Sequence, residues 1–246
     1  MAGGDRDREE NRLSALVLQW LSRWLQRALD AVMAAFRRFG VAPDPTAIYS
    51  QVPEWERIVD THLLPELVSS QRIGWEEVLP GSDSSLVSTD SYVVGALAMS
   101  RNLLVRIPDD VYHLVFAEIT DGVNAGEGVR DIAARIERVL NVTGSENWPN
   151  RAKVIAVTEV NRAANAGAFA AGLQAERDEG VRMNKVWLTS DDRRVRDVHR
   201  EVDGQTVAMT QPFHVGGSLL MFPGDPVGLP HDVINCRCSI QIKERS

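Results

Sequence analysis

Cys236 and Cys238 are the only two cysteines in a chain of 246 residues. They stand two apart, thirty-seven positions after His199, which ends the charged run Asp191-Asp192-Arg193-Arg194-Val195-Arg196-Asp197-Val198-His199. On an extended segment, residues two apart point to the same side, so both sulfurs face one way and Arg237 the other. A disulfide between them would close a very tight ring of poor geometry. Two thiolates on one side are half of a tetrahedral zinc site. His199 is the first candidate to complete it, His231 and His214 come next, and Asp192 is a further possible fourth ligand. A closed set of four ligands would make the metal structural, whereas an open position would make it catalytic. The competing reading treats both cysteines as small buried apolar residues beside a surface histidine.

Three other groups could act chemically. If the run before His199 is helical, Asp192, Arg196 and His199 share a face. Arg193, Arg194, Arg196 and Arg200 could then grip phosphate or contact DNA, or could simply form ion pairs on a solvated face. Thr158-Glu159-Val160-Asn161-Arg162 offers Glu159 as a general base beside a metal in a hydrolase. The competing reading is a polar network, with Glu159 paired to Arg162 and Asn161 aligned with Asn165, that pins a helix to the C-terminal unit. No HExxH, nucleophile elbow or phosphate-binding glycine loop occurs. Asp203-Gly204 and Pro223-Gly224-Asp225-Pro226 read as turns with no chemistry of their own.

The elements that must position these residues follow from periodicity. Leu13, Leu16, Val17, Trp20, Leu21, Trp24, Leu25, Ala28 and Leu29 recur at three and four, which predicts a long amphipathic helix over 13–39. Asp7 or Asn11 would cap its start and Gly40 its end, leaving residues 1–12 frayed. Trp20 and Trp24 lie one turn apart on its apolar stripe. They serve either the protein's own core or docking onto a partner protein. Helices are expected over 52–79 with a break at Pro65, over 91–105, from Pro108 to Asp121-Gly122, over 128–140, and over 150–176. The last is rich in alanine and glycine, which lets another backbone pack close. Short strands are expected at 185–188, 205–209 and 239–242. The fold class is α+β: a mainly helical N-terminal part, then a small loop-rich α+β unit with short strands. The expected division is 1–107 and 108–246.

Composition is that of an ordinary globular protein, 44% hydrophobic and 25% charged. Two cysteines cannot staple a fold of this size. The N-terminus lacks the order of a secretory signal, and no run is apolar enough to span a bilayer, so no membrane is expected as a partner. The net charge of −7 is uneven: residues 1–150 hold 14 Arg, no Lys and 22 acids, while 151–246 hold 13 basic and 12 acidic residues. Neither half is the basic body of a dedicated duplex-DNA binder.

The ordered C-terminal set also carries a family likeness. Arg151 to Glu159, Asn165-Ala166-Gly167, Trp187-Leu188-Thr189, Asp192, Arg194 to Arg196, His199 and Asp203-Gly204 belong to it. So do Phe213, Pro223-Gly224-Asp225 and Ile234 to Cys238. Over about residues 110–242 the chain resembles the phage Mu F-like head-morphogenesis proteins, minor capsid proteins of tailed phages. The arginine usual before the Thr-Glu pair is Val157 here. The resemblance implies a minor virion protein inside the phage head, associated with the portal vertex during assembly in the host cytoplasm. Its partners would be the portal protein or the major capsid protein, and packaged DNA for some relatives. Residues 1–107 would be the docking region, with Trp20 and Trp24 as anchors.

Overall fold

The computed structural model describes residues 2–141, 147–190 and 193–245. Helix α1 runs Ala2–Phe39 and starts well before its apolar stripe. Residues 2–12 are therefore helical, not frayed, and neither Asp7 nor Asn11 is a cap. The reason lies in long-range polar contacts: Arg6 pairs with Glu77 and donates to Asn165 Oδ1 at 3.2 Å, and Arg12 pairs with Glu66 at 3.0 Å. Gly40 ends the helix as expected, at φ +68 with its N–H on the Phe36 carbonyl at 2.8 Å.

A 3-10 turn at Pro45–Gln51, capped by the Asp44 carboxylate, leads into α2 at Val52–Ile58. A π-helical turn at Val59–Leu63 joins α2 to α3 at Leu64–Val78 and absorbs Pro65 without stopping the chain. Next come α4 at Ser91–Val105, α5 at Ile107–Asn124 and α6 at Val129–Leu140. Helix α7 spans Asn147–Glu179. Pro108, Asp109 and Asp110 lie in the first turn of α5, where a missing N–H is harmless and negative charge suits the dipole.

The rest is β1 at Met183–Leu188, α8 at Asp197–Arg200, β2 at Thr206–Ala208, β3 at Phe213–Val215, β4 at Ser218–Leu220, α9 at Pro230–Val233 and β5 at Ser239–Glu244. Strands β2, β1 and β5 form one antiparallel sheet in that order, with Trp187 opposite Ile240 and Lys185 opposite both Val207 and Ile242. Strands β3 and β4 form a separate hairpin, turned by Gly216 at φ +56. No helix among the described residues is long and apolar enough to cross a membrane.

The chain forms two compact units that interleave along the sequence. One comprises 1–14, 64–100 and 153–246; the other comprises 15–63 and 101–152. Helices α1, α4 and α7 each give residues to both, which is why no single cut separates them. In the second unit, Val17, Leu21, Trp24 and Leu25 of α1 are buried, as are Trp55, Val111, Val115 and Ile136. Trp24 donates its indole N–H to the Gln51 carbonyl and Trp55 to that of Leu104, each at 2.8 Å. Buried tryptophans thus keep their polar edge satisfied.

In the first unit, α3 and α7 meet backbone to backbone. A Cβ on Gly74 would lie 1.8 Å from the Ala164 carbonyl oxygen, and one on Gly167 would lie 1.9 Å from that of Gln71. The small residues of α7 thus do what their composition implies. The apolar core beside them holds Trp75, Phe169, Trp187, Phe213, Phe222, Cys236 and Cys238.

Candidate metal centre

His199 sits on α8, a single helical turn in the connection from β1 to β2. Arg196 precedes that turn in an extended conformation, at φ −68 and ψ 151, and only 197–200 are helical. The shared helical face expected for Arg196 and His199 therefore does not form. Arg196 instead donates to the Ile234 carbonyl.

The two cysteines follow α9. Asn235, at φ 56, is the only left-handed non-glycine residue among those described, and it swings the chain from α9 toward β5. Cys236 and Cys238 lie just before that strand, not in it. Their sulfurs still face one side, while Arg237 lies 3.8 Å from Glu10. His199 Nδ1 is 3.4 Å from Cys238 Sγ and 3.8 Å from Cys236 Sγ, and all three side chains are buried. Among the described residues this is the one cluster of three or more His, Cys, Asp or Glu ligand atoms within 4.8 Å of one another.

The surroundings hold each group in place. His199 Nε2 lies 3.0 Å from the Asp232 carbonyl, and Trp187 packs edge-on against the imidazole at 5.7 Å. The Asp232 carboxylate accepts from Ser218 Oγ at 2.6 Å, and that oxygen accepts the Leu229 N–H at 2.9 Å. The Cys238 N–H donates to Cys236 Sγ at 3.4 Å. Asn161 and Asn165 of α7 both donate to the Cys238 carbonyl, at 3.0 and 2.9 Å, and Thr158 Oγ1 accepts the Asn235 N–H at 2.8 Å. A hydrogen bond from the Cys238 thiol lowers the pKa of Cys236 to about 5 against the opposing effect of burial, with His199 helping. The same contact and burial push Cys238 up.

The other proposed ligands and actors fall elsewhere. His231 is exposed, 3.6 Å from an Asp232 carboxylate oxygen, and His214 is exposed on β3. Neither joins the cluster. Asp192 lies outside the described residues. Glu159 is buried, and both its oxygens accept from Arg162 Nη1, at 2.7 and 2.8 Å. Arg162 Nε reaches the Gly224 carbonyl at 2.9 Å. This is the pinning network, with both carboxylate oxygens of Glu159 engaged by Arg162. Arg193 and Arg194 are exposed, and Arg200 pairs with Asp197 at 2.7 Å. Trp24 is 0% exposed and committed to its own core, so an accessible anchor at that position is excluded; Trp20 is half-buried, stacked on His62 at 4.1 Å.

One buried group escaped the sequence reading. Lys185 of β1 is 0% exposed; it donates to the Met221 carbonyl at 2.7 Å and lies over the rings of Phe169 and Phe213 at 4.6 and 5.2 Å. Burial brings its pKa down to about 7, opposed by nearby Asp225, whose own carboxyl is raised by burial. Asp225 accepts the N–H groups of Met221 and Val227, so Pro223-Gly224-Asp225 is a turn braced by a buried carboxylate. The signal available was a lysine directly before the apolar run Val186-Trp187-Leu188 of a strand.

The ordered residues of this unit have relatives. The profile of the phage Mu protein F like family matches residues 114–241, just over half of the chain. The chain belongs to the phage Mu protein F like family. Minor head protein GP7 of Bacillus phage SPP1 is 32% identical over 123 residues, covering 50% of this chain and 37% of that protein. The NAD(+)--arginine ADP-ribosyltransferase EFV of Enterococcus faecalis (strain ATCC 700802 / V583) is 26% identical over 173 residues, 70% of this chain and 34% of that protein. The chain thus spans little more than a third of the length of these curated relatives. No solved structure gives a significant match. The F-like match includes His199, Cys236, Cys238 and the α7 clamp.

Proposed function

We propose that this protein is a minor head protein of a tailed phage, carried in the virion and joining the portal vertex during assembly. The observation that carries this is the match to SPP1 GP7 within the F-like segment. The overlap with the Enterococcus ADP-ribosyltransferase covers about a third of that longer protein, which fits a module, read here as a scaffold, that recurs in larger chains. The engagement of Glu159 by Arg162 fits that scaffold role. Mass spectrometry of purified procapsids and virions tests the reading: the protein should be present at low copy number, and absence from both particle types overturns it.

On the same proposal the helical unit carries the docking surface, with Trp20 as its aromatic contact. Trp20 keeps part of its ring exposed, with the Arg23 guanidinium 5.0 Å from the ring centre. Replacing Trp20 by Ala should leave circular dichroism unchanged and reduce incorporation into heads. Unchanged incorporation removes Trp20 from the interface.

A further inference from the structure

We propose that His199, Cys236 and Cys238 bind one Zn²⁺ through His199 Nδ1 and the two sulfurs, with the fourth position, among the described residues, open to a small arginine-lined cavity. The first argument is the imidazole tautomer. A backbone carbonyl can only accept, so the contact of Nε2 with the Asp232 oxygen places the ring proton on Nε2. Nδ1 is the ring nitrogen that faces both sulfurs, and in the neutral tautomer with its proton on Nε2 it offers them a lone pair for a shared ion. Metal-bound histidines are held in this way, with the far nitrogen donating to a carbonyl or carboxylate.

The second argument is distance. Zinc bonds of about 2.3 Å to sulfur and about 2.05 Å to nitrogen at a tetrahedral angle set N···S at about 3.5 Å. The two separations here, 3.4 and 3.8 Å, straddle that value. The ion enters with shifts of a few tenths of an ångström. The third argument is that a backbone donor already faces one of the sulfurs. The Cys238 N–H points at Cys236 Sγ, and the indole N–H of Trp187, in the same core, is buried without a hydrogen-bond partner. Such N–H donors orient thiolate ligands and stabilise their charge.

Two thiolates and an imidazole select a borderline-soft ion such as zinc over magnesium or calcium. Two thiolates neutralise its charge, and ligation releases thiol protons to solvent. A cavity of about 90 Å³ adjoins all three ligands and is also lined by Ser190, Arg194 and Arg196. A water or a small anion completes the coordination there. The ion would clasp the α8 turn to the entry of β5, across the end of the three-stranded sheet. This proposal stands apart from the virion reading, since it rests only on the cluster.

The test uses the full chain, purified with reductant in zinc-replete medium. Elemental analysis should give one zinc per chain. Cobalt(II) exchange should produce thiolate-to-cobalt charge-transfer bands and the intense visible bands of a four-coordinate site. Azide should shift the visible bands through the open position. His199→Cys should keep the metal with stronger charge transfer, and Trp187→Phe should weaken metal affinity roughly 10- to 100-fold. Folded protein that holds no zinc and takes up no cobalt overturns the site, as does a disulfide between Cys236 and Cys238 in reductant-treated protein. Sulfur bands that ignore azide overturn the open position. Because the wild-type cobalt spectrum carries the decision, a cysteine variant that fails to fold does not blunt the test.

Discussion

The helical unit and the sheet-bearing unit are stabilised by opposite means. In the first, the buried polar atoms of Trp24 and Trp55 are indole N–H groups on backbone carbonyls, and the ion pairs, such as Arg101 with Asp60, are at the surface. In the second, Glu159, Arg162, Asn161, Asn165, Lys185 and His199 are all buried, and each has a defined partner. Apolar cores tolerate volume-conserving exchange. Buried polar networks do not, because removing one member leaves the other desolvated and unpaired. The difference teaches that specificity in this molecule is concentrated where the chain returns from α9 to β5.

The largest expected loss comes from Arg162→Met, which strands Glu159 and should cost about 3–5 kcal/mol in urea unfolding. Trp24→Ala in the helical unit should cost a similar amount, about 3–5 kcal/mol, through its cavity. The comparison sharpens with Trp24→Phe and Arg162→Lys: the first should recover most of the loss and the second little, and equal recovery breaks the contrast.

Lys185 gives a pH signature. Its folded pKa, about 7, lies below its ordinary value of 10.5, so between them the unfolded chain binds more protons. Stability should therefore rise from pH 7 toward 10.5, fully present above that range and lost as pH falls through 7. Lys185→Met should remove that slope in parallel denaturation curves. Asn165→Ala releases the Pro223 carbonyl and one of two donors to Cys238, and should cost about 1–3 kcal/mol. Arg200→Ala, which breaks an exposed pair with Asp197, should change stability by less than about 1 kcal/mol. A loss as large as that of Asn165→Ala would mean the Asp197–Arg200 pair is structural and not a solvated surface pair.

Among the periodic helices, α4 and α6 were legible almost to the residue. The apolar spacing of 91–105 and 128–140 gives α4 and α6, because a buried stripe must recur at three and four. Residues 2–12 were not legible, since their stability comes from Glu77, Glu66 and Asn165 far along the chain. Strands β3 and β4 were missed because three residues beside Gly216-Gly217 carry too little alternation. The meeting of His199 with both thiols was legible from residue type, for few other roles suit that set. Its tuning was not: the Asp232 group that orients the imidazole is a backbone carbonyl, and a backbone atom leaves no mark in sequence. His231 and His214 share the right type but not the right depth, which spacing alone does not encode.

The bare-backbone contacts at Gly74 and Gly167 have a mechanical consequence. Sliding α7 along α3 by one position would bring a methyl-bearing neighbour where no side-chain atom fits. The two helices are keyed like a notched rod, so tension applied to either is transmitted without slip to the loop that carries the thiols. An assembly that tugged on this domain would move it as a piece, and the first bonds to yield would lie outside the key.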